Sequence, residues 1–208
     1  VFSWTMVNGF IFGWQRLKVN EIMLDFENLP TAFDGYRIVQ LSDLHLGSQS
    51  KKSAFIKKLV NKVNLLKADA IVFTGDLVNR SADEAVPFIP ILSSLVAKDG
   101  VHAILGNHDY PYPFLGDSLI EGSRKVVDVE QRMGWQVLLN EHKILFRNGT
   151  HLAIAGVENI GKPPFPRIGN LNQAIQGIPQ DTFTILLSHD PFHWRHGVSG
   201  ETNIPLTL

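Results

Sequence analysis

Two residues suited to chemistry stand one position apart, Asp43 and His45, at the end of "IVQLSDLH". The same pattern recurs along the chain. Asp76 closes "AIVFTGD"; Asn107, His108 and Asp109 close "HAILGNHD"; His189 and Asp190 close "FTILLSHD". Each group follows directly on an apolar run of strand character. Any one of these motifs alone has a plainer use, because Asp or Asn after a strand commonly forms a turn or caps a helix. The repetition in one strand context points elsewhere. In open α/β sheets, sites form beyond the carboxyl ends of parallel strands, so neighbouring strands would gather these side chains into one cluster. Crowded carboxylates and imidazoles are costly to bury unless cations compensate them. Oxygen and imidazole ligands without sulfur suit Mn, Fe, Zn or Co. Two such cations about 3.5–4 Å apart clamp a phosphoryl group and lower the pKa of a water held between them to about 7.

The elements that must position these residues are legible in outline. Leu17, Val19, Ile22, Leu24 and Phe26 fall largely on every second position, so Gln15 to Phe26 predicts a strand. "NLPTAFDGY" is a turn-rich connector, and Tyr36 to Ser42 is the strand that ends in the first motif. Lys51 to Lys67 places Phe55, Leu59, Val63 and Leu66 at helical spacing. Ala70 to Thr74 is a short strand, and Asp83 to Ala97 predicts a helix marred at its start by Pro87 and Pro90. "VHAIL" is a strand and Asp117 to Met133 a helix. "WQVLL", "HKILF", "HLAIAG" and "DTFTILLS" are strands, and the chain reaches Leu208 on another apolar one. Strand and helix alternate in the first half, which favours α/β with a partly parallel sheet. The strand-rich middle predicts a second, mixed sheet packed on the first.

Composition sets the outer bounds. The 208 residues carry 19 Lys and Arg against 20 Asp and Glu, a formal charge of −1, with 44% hydrophobic residues. That is an ordinary globular chain, large enough for one domain with a real core. No basic run marks it for bulk nucleic-acid binding, and none is expected. There is no cysteine, which excludes disulfides, thiolate metal sites and a cysteine nucleophile. The opening "VFSWTMVNGFIFGW" is apolar but shorter than the roughly 20 residues of a membrane span. Two readings stay open for residues 1–14: a lead-in packed on the domain, or the stub of a membrane anchor. Residues 15–208 form the domain proper.

The motifs "SDLH", "GDLVNR", "GNHD" and "SHDP", in that order, resemble those of the calcineurin-like metallophosphoesterases, from about Arg37 to the end of the chain. The wording "HDPFHWRHGVSGETNI" is similar to bacterial members that sit behind an N-terminal membrane segment, which implies a membrane-associated location. The fold implied is an α/β/β/α sandwich, two packed mixed β-sheets flanked by helices. The resemblance also implies roles. Asp43 and His45 would bind a first divalent metal, Asp76 would bridge both, and Asn107 and His189 would bind the second. His108 would stand over the leaving group as general acid or charge stabiliser while a metal-bridging hydroxide attacks phosphorus. The substrate would be a phosphate ester or a pyrophosphate. A non-catalytic scaffold that keeps the fold is the alternative, and a nuclease would share the chemistry without a basic footprint.

This chain departs from the family pattern in places. Asn79 stands where some members carry an Asp that orients the catalytic histidine. Asp109 could take over that task or could cap its turn. Arg80 matches a phosphate-binding arginine of the protein phosphatase branch, or is a solvated loop residue. The family's Gly-His-X-His motif is not present up to Leu208, so each metal lacks one imidazole. The expectation for the 208-residue form is therefore weak or partial metal binding and poor hydrolysis. "GVENIGKP" has the spacing of a phosphate loop, but Pro163 replaces the hydroxyl residue and Pro163, Pro164 and Pro166 preclude the helix that would follow; it reads as a surface loop near the site. His102, His142 and His151 suit packing or surface positions, while His193, His196, Phe165 and Trp194 could line the pocket mouth.

Overall fold

The computed structural model describes residues 17–48, 53–110, 118–161 and 165–208. The lead-in expected over Val1 to Trp14, with its boundary at residue 15, lies outside the described residues. Within them the strands form two four-stranded sheets. The first holds β1 (Ile38–Leu41), β2 (Ala70–Phe73), β3 (Val101–Ala103) and β4 (Gln136–Val137), in that order and parallel throughout. The second holds β5 (Glu141–Arg147), β6 (Thr150–Gly156), β7 (Phe183–Leu187) and β8 (Leu206–Thr207). Its β5 and β6 are antiparallel, joined by Asn148 and Gly149 at positive φ, the two-residue turn that suits strand twist. β6, β7 and β8 run parallel. The mixed character expected of both sheets thus holds for the second alone.

Alternation along the strands builds the layers. Ala70 and Val72 of β2 meet Leu152, Ile154, Phe183 and Ile185 in a dry core between the sheets. Ile71 and Phe73 face the other way, onto helices α1 (Ser53–Leu65), α2 (Ile89–Leu92) and α3 (Leu119–Arg132). On the far side of the second sheet, Ala155 and Leu186 pack on Ala174 of α4 (Leu171–Ile175). The result is the α/β/β/α sandwich.

Three expectations need correction, and one helix was not foreseen. Residues 17–26 form no strand: Leu17 and Phe26 pack on the cores, but Ile22 and Met23 are 77% and 89% exposed. Alternation makes a strand only beside a partner ladder, and no described strand lies alongside. The helix expected over Asp83 to Ala97 is split into two 3₁₀ turns and the short α2, because Pro87 and Pro90 each remove a backbone donor. The buried stripe of α1 runs through Ile56, Leu59, Val60 and Val63, one position round from the spacing read through Phe55 and Leu66. Helix α4 left no clear periodicity, although Asn170 caps it by accepting from the Gln173 amide at 3.1 Å.

The two sheets are also clamped at the end opposite the motif loops. Arg147, at the tip of β5, donates to Asp99 Oδ2 at 2.9 Å and Asp69 Oδ1 at 3.3 Å, and its guanidinium lies 4.9 Å from the Tyr36 ring. Burial alone would raise the Asp69 carboxyl. Hydrogen bonds from Lys98, the Arg37 amide and Arg147 outweigh it and hold Asp69 below the usual carboxylate range. Its stabilising contribution is present above the unfolded value of about 4 and is lost as pH falls through the lower folded value. Arg147→Ala should cost about 2–3 kcal/mol at pH 7, since it strips a buried carboxylate of a partner and removes a cation–π contact. Urea unfolding at pH 7 and at about pH 3 checks this. The loss should shrink at the lower pH; an equal loss at both would mean that Asp69 is not the group being stabilised.

Candidate active site

Strand order decides which motif is central. β2 lies between β1 and β3, so Asp76, three residues past β2, stands between Asp43 and Asn107. The loops after β1 and β2 stay laced beyond the sheet. Asp43 N donates to Gly75 O at 2.9 Å, His45 N to Asp76 O at 3.1 Å and Leu46 N to Leu77 O at 3.0 Å. Asp43, His45 and Asp76 all have positive φ, at 56°, 43° and 60°. Such conformations cost energy in non-glycine residues and persist where the surroundings over-determine them, commonly at functional sites. The third loop comes closer than any side chain would permit. A Cβ on Gly106 would collide with Asp76 Oδ1 and lie 2.8 Å from His189 Cε1, and one on Gly75 would run into the Gly106 backbone.

A single buried carboxylate joins these loops. Asp109, 1% exposed, accepts from Asp76 N at 2.8 Å and Gly106 N at 2.9 Å through Oδ2. Its Oδ1 accepts from Leu77 N at 2.9 Å and Val78 N at 3.2 Å. Burial pushes this carboxyl up to about 7, while the amide donors pull it down. All four bonds need an acceptor, which the ionised form supplies at both oxygens. Of the two tasks open to Asp109, the geometry gives it the turn. His108 is oriented instead by a main-chain group: its Nδ1 lies 3.1 Å from Asn79 O. The Asn79 peptide is itself held by Glu84, whose Oε2 accepts from Asn79 N at 2.7 Å.

Around Asp76 the ligand-type atoms divide into two sides. Asp76 Oδ2 lies 3.5 Å from His45 Nε2, which is 3.7 Å from Asp43 Oδ1. Asp76 Oδ1 lies 3.5 Å from His189 Nε2, which is 3.0 Å from Asn107 Oδ1. One atom each from Asp43, Asp76 and His189 falls within 4.8 Å of the others. His189 arrives from the second sheet and is fixed by Nδ1 at 2.8 Å from Thr74 O. A ring that donates from Nδ1 to a carbonyl presents a lone pair at Nε2, the usual arrangement of a metal-ligating histidine. That lone pair then faces the oxygens of Asn107 and Asp76. Carboxylate, amide and imidazole acceptors converging in this way fit a cation, so the residues present suit a divalent metal. All five residues expected to bind metal are thus brought together, with the His108 ring 5.0 Å from that of His45.

The remaining histidines have packing partners. His102 is buried with Nε2 3.0 Å from Asp99 O, His142 Nδ1 is 2.8 Å from Ala174 O, and His151 Nε2 is 2.8 Å from Thr182 Oγ1. His193 is buried behind the site rather than at its mouth, with Nδ1 2.8 Å from Ser188 Oγ. His196 stacks on Phe192 at 4.1 Å. Arg80 is exposed. Sequence reasoning missed Glu84 and the carbonyls of Thr74 and Asn79, since main-chain acceptors carry no signal in residue type.

The role of Asp109 can be tested by Asp109→Asn. The variant keeps the shape but sets an NH₂ group against two amide donors. It should lower stability by about 2–4 kcal/mol and weaken metal binding, read by thermal unfolding and calorimetric titration with Mn²⁺. Unchanged stability would show that the loops do not depend on this carboxylate.

Comparison with known proteins agrees with this geometry. The family model for the calcineurin-like phosphoesterases matches residues 36–205. A zebrafish (Danio rerio) "transmembrane protein with metallophosphoesterase domain" is 28% identical over 97% of this chain and 46% of its own length. The metallophosphoesterase YkuE of Bacillus subtilis is 30% identical over 84% of this chain and 58% of its own. The UDP-2,3-diacylglucosamine pyrophosphatase LpxG of Chlamydia trachomatis is 48% identical over 40% of this chain and 26% of its own length. The relatives are animal as well as bacterial, and the chain spans about half the length of the first of them. No helix among the described residues is long and apolar enough to cross a membrane. With the family's match extending over the four motif loops and strands β1 to β7, the chain belongs to the calcineurin-like phosphoesterase family.

Proposed function

We propose that this chain is a metal-dependent hydrolase of phosphate esters or pyrophosphates, with two divalent cations held at Asp76. The observation that carries the reading is the Asp76 carboxylate. It is 4% exposed and turns one oxygen to His45 and the other to His189. Asp43 and His45 would hold one cation, Asn107 and His189 the other, and Asp76 both. When bound, such a pair supplies an activated water as nucleophile and neutralises the phosphoryl oxygens. Mn, Fe, Zn or Co all fit the donor set.

The chain's own residues supply the rest. Nδ1 of His108 donates to Asn79 O, which fixes the ring and leaves Nε2 to face the substrate. There the ring, as the imidazolium with a proton on each nitrogen, gives its Nε2 proton to the departing oxygen or stabilises its charge. The main-chain N–H of His108 donates to Asp76 Oδ1 at 2.8 Å, tying the position of His108 to that of the central carboxylate. Pyrophosphate chemistry is supported by the likeness to LpxG, a UDP-2,3-diacylglucosamine pyrophosphatase, and a membrane-proximal setting by the likeness to the zebrafish transmembrane protein together with the apolar residues 1–14.

The test compares Asp76→Asn with His108→Ala in the full-length protein. Asp76→Asn should lose bound metal as well as turnover. His108→Ala should keep its metal and lose about 10²–10⁴-fold in turnover on a chromogenic phosphate ester. If His108→Ala emptied the site instead, the roles are misassigned. Metal bound by the wild type without turnover on monoester, diester or pyrophosphate would favour the scaffold alternative.

A further inference from the structure

The described residues on either side of positions 162–164 lie close to the site. The loop from Glu158 runs out and returns to Gly169, with Ile160 and Arg167 in an antiparallel bridge; positions 162–164 lie outside the described residues. Its base is stapled from within. Asn159, 1% exposed, donates through Nδ2 to Pro166 O at 2.8 Å, and its carbonyl accepts from Ile168 N and Gly169 N at 3.1 Å each. The base is also tied to the His108 loop: Tyr110, two residues past His108, donates from its hydroxyl to Glu158 Oε1 at 3.2 Å, and Asn140 Nδ2 donates to Glu158 Oε2 at 2.6 Å.

So anchored, the loop reaches both ends of the ligand cluster. At one end a Cβ on Gly161 would lie 3.2 Å from Asp190 Oδ2, beside His189. At the other, the half-buried Phe165 ring lies 6.5 Å from the His108 ring with 45° between their planes. The Phe165 ring thus stands beside the His108 ring, where a leaving group would sit. An aromatic leaving group there has a ring within reach for an edge or face contact, which a small alkyl group cannot make.

We infer that Phe165 is a specificity-determining residue that favours phosphate esters whose leaving group carries an aromatic ring. This rests on the reading of His108 as the residue beside the leaving group. Phe165 binds no metal and holds none of the motif loops, so its removal leaves the cation site intact.

The test is calorimetric binding, to the Mn²⁺-loaded full-length protein, of two inert analogues, phenylphosphonate and methylphosphonate. Wild type should bind the phenyl compound about tenfold more tightly, and Phe165→Ala should reduce the difference to about twofold or less, with methylphosphonate affinity unchanged. Phe165→Tyr, which keeps the ring, should retain the preference. A preference that survives Phe165→Ala, or one absent from the wild type while methylphosphonate still binds, overturns the assignment of Phe165 alone. Failure of the wild type to bind either phosphonate overturns the reading of the site on which the inference stands.

Discussion

The Asp109 carboxylate is the interaction on which the site depends. It has no access to water and satisfies amides from two loops at once, Asp76 to Val78 after β2 and Gly106 after β3. Those amides would otherwise be buried and unpaired, at a cost of about 1–3 kcal/mol each. By meeting them Asp109 fixes Asp76 at positive φ and brings Gly106 against it. That approach then sets the composition around it. Gly75 and Gly106 must lack side chains because each sits where the other loop's backbone already is. Only with that spacing can one carboxylate face His45 and His189 together.

The larger architecture serves the same point. A parallel sheet directs the carboxyl ends of β1, β2 and β3 to one edge, and the order of the strands places Asp76, carried by the middle one, at the centre of the cluster. The second sheet contributes His189 to the cluster, and the bond from its Nδ1 to Thr74 O is a polar link between the two layers at the site itself. At the far end, Arg147 with Asp69 and Asp99 provides the corresponding link. The dry interlayer core lies between these two polar ends. The sandwich is therefore held in register by apolar packing along its middle and by polar bonds at its two ends.

Much of this was legible in the sequence because chemistry and strand ends coincide. "SDLH", "GD", "GNHD" and "SHD" each interrupt an apolar run, and every residue singled out as a ligand or as the leaving-group histidine reaches the cluster. What was not legible is main-chain geometry. The question left by Asn79, which stands where a carboxylate was expected, is answered by that residue's own carbonyl, a group every residue possesses. The alternation over residues 17–26 misled because periodicity reports which faces differ, not whether a neighbouring ladder exists. The Asp83–Ala97 segment was read as one helix although its two prolines already marked where it would break. The stretch after β6 showed the reverse: nothing in its pattern revealed that Phe165 comes to lie beside His108.

We propose that Asp76 is shared between two cations. The most direct measurement is a crystal structure of the Mn²⁺-loaded protein with anomalous data collected at the manganese edge. The account predicts two anomalous peaks about 3.5–4 Å apart, one beside Asp43 and His45, the other beside Asn107 and His189, with an oxygen of Asp76 on each. A single peak, or a pair that leaves Asp76 unligated, would contradict it.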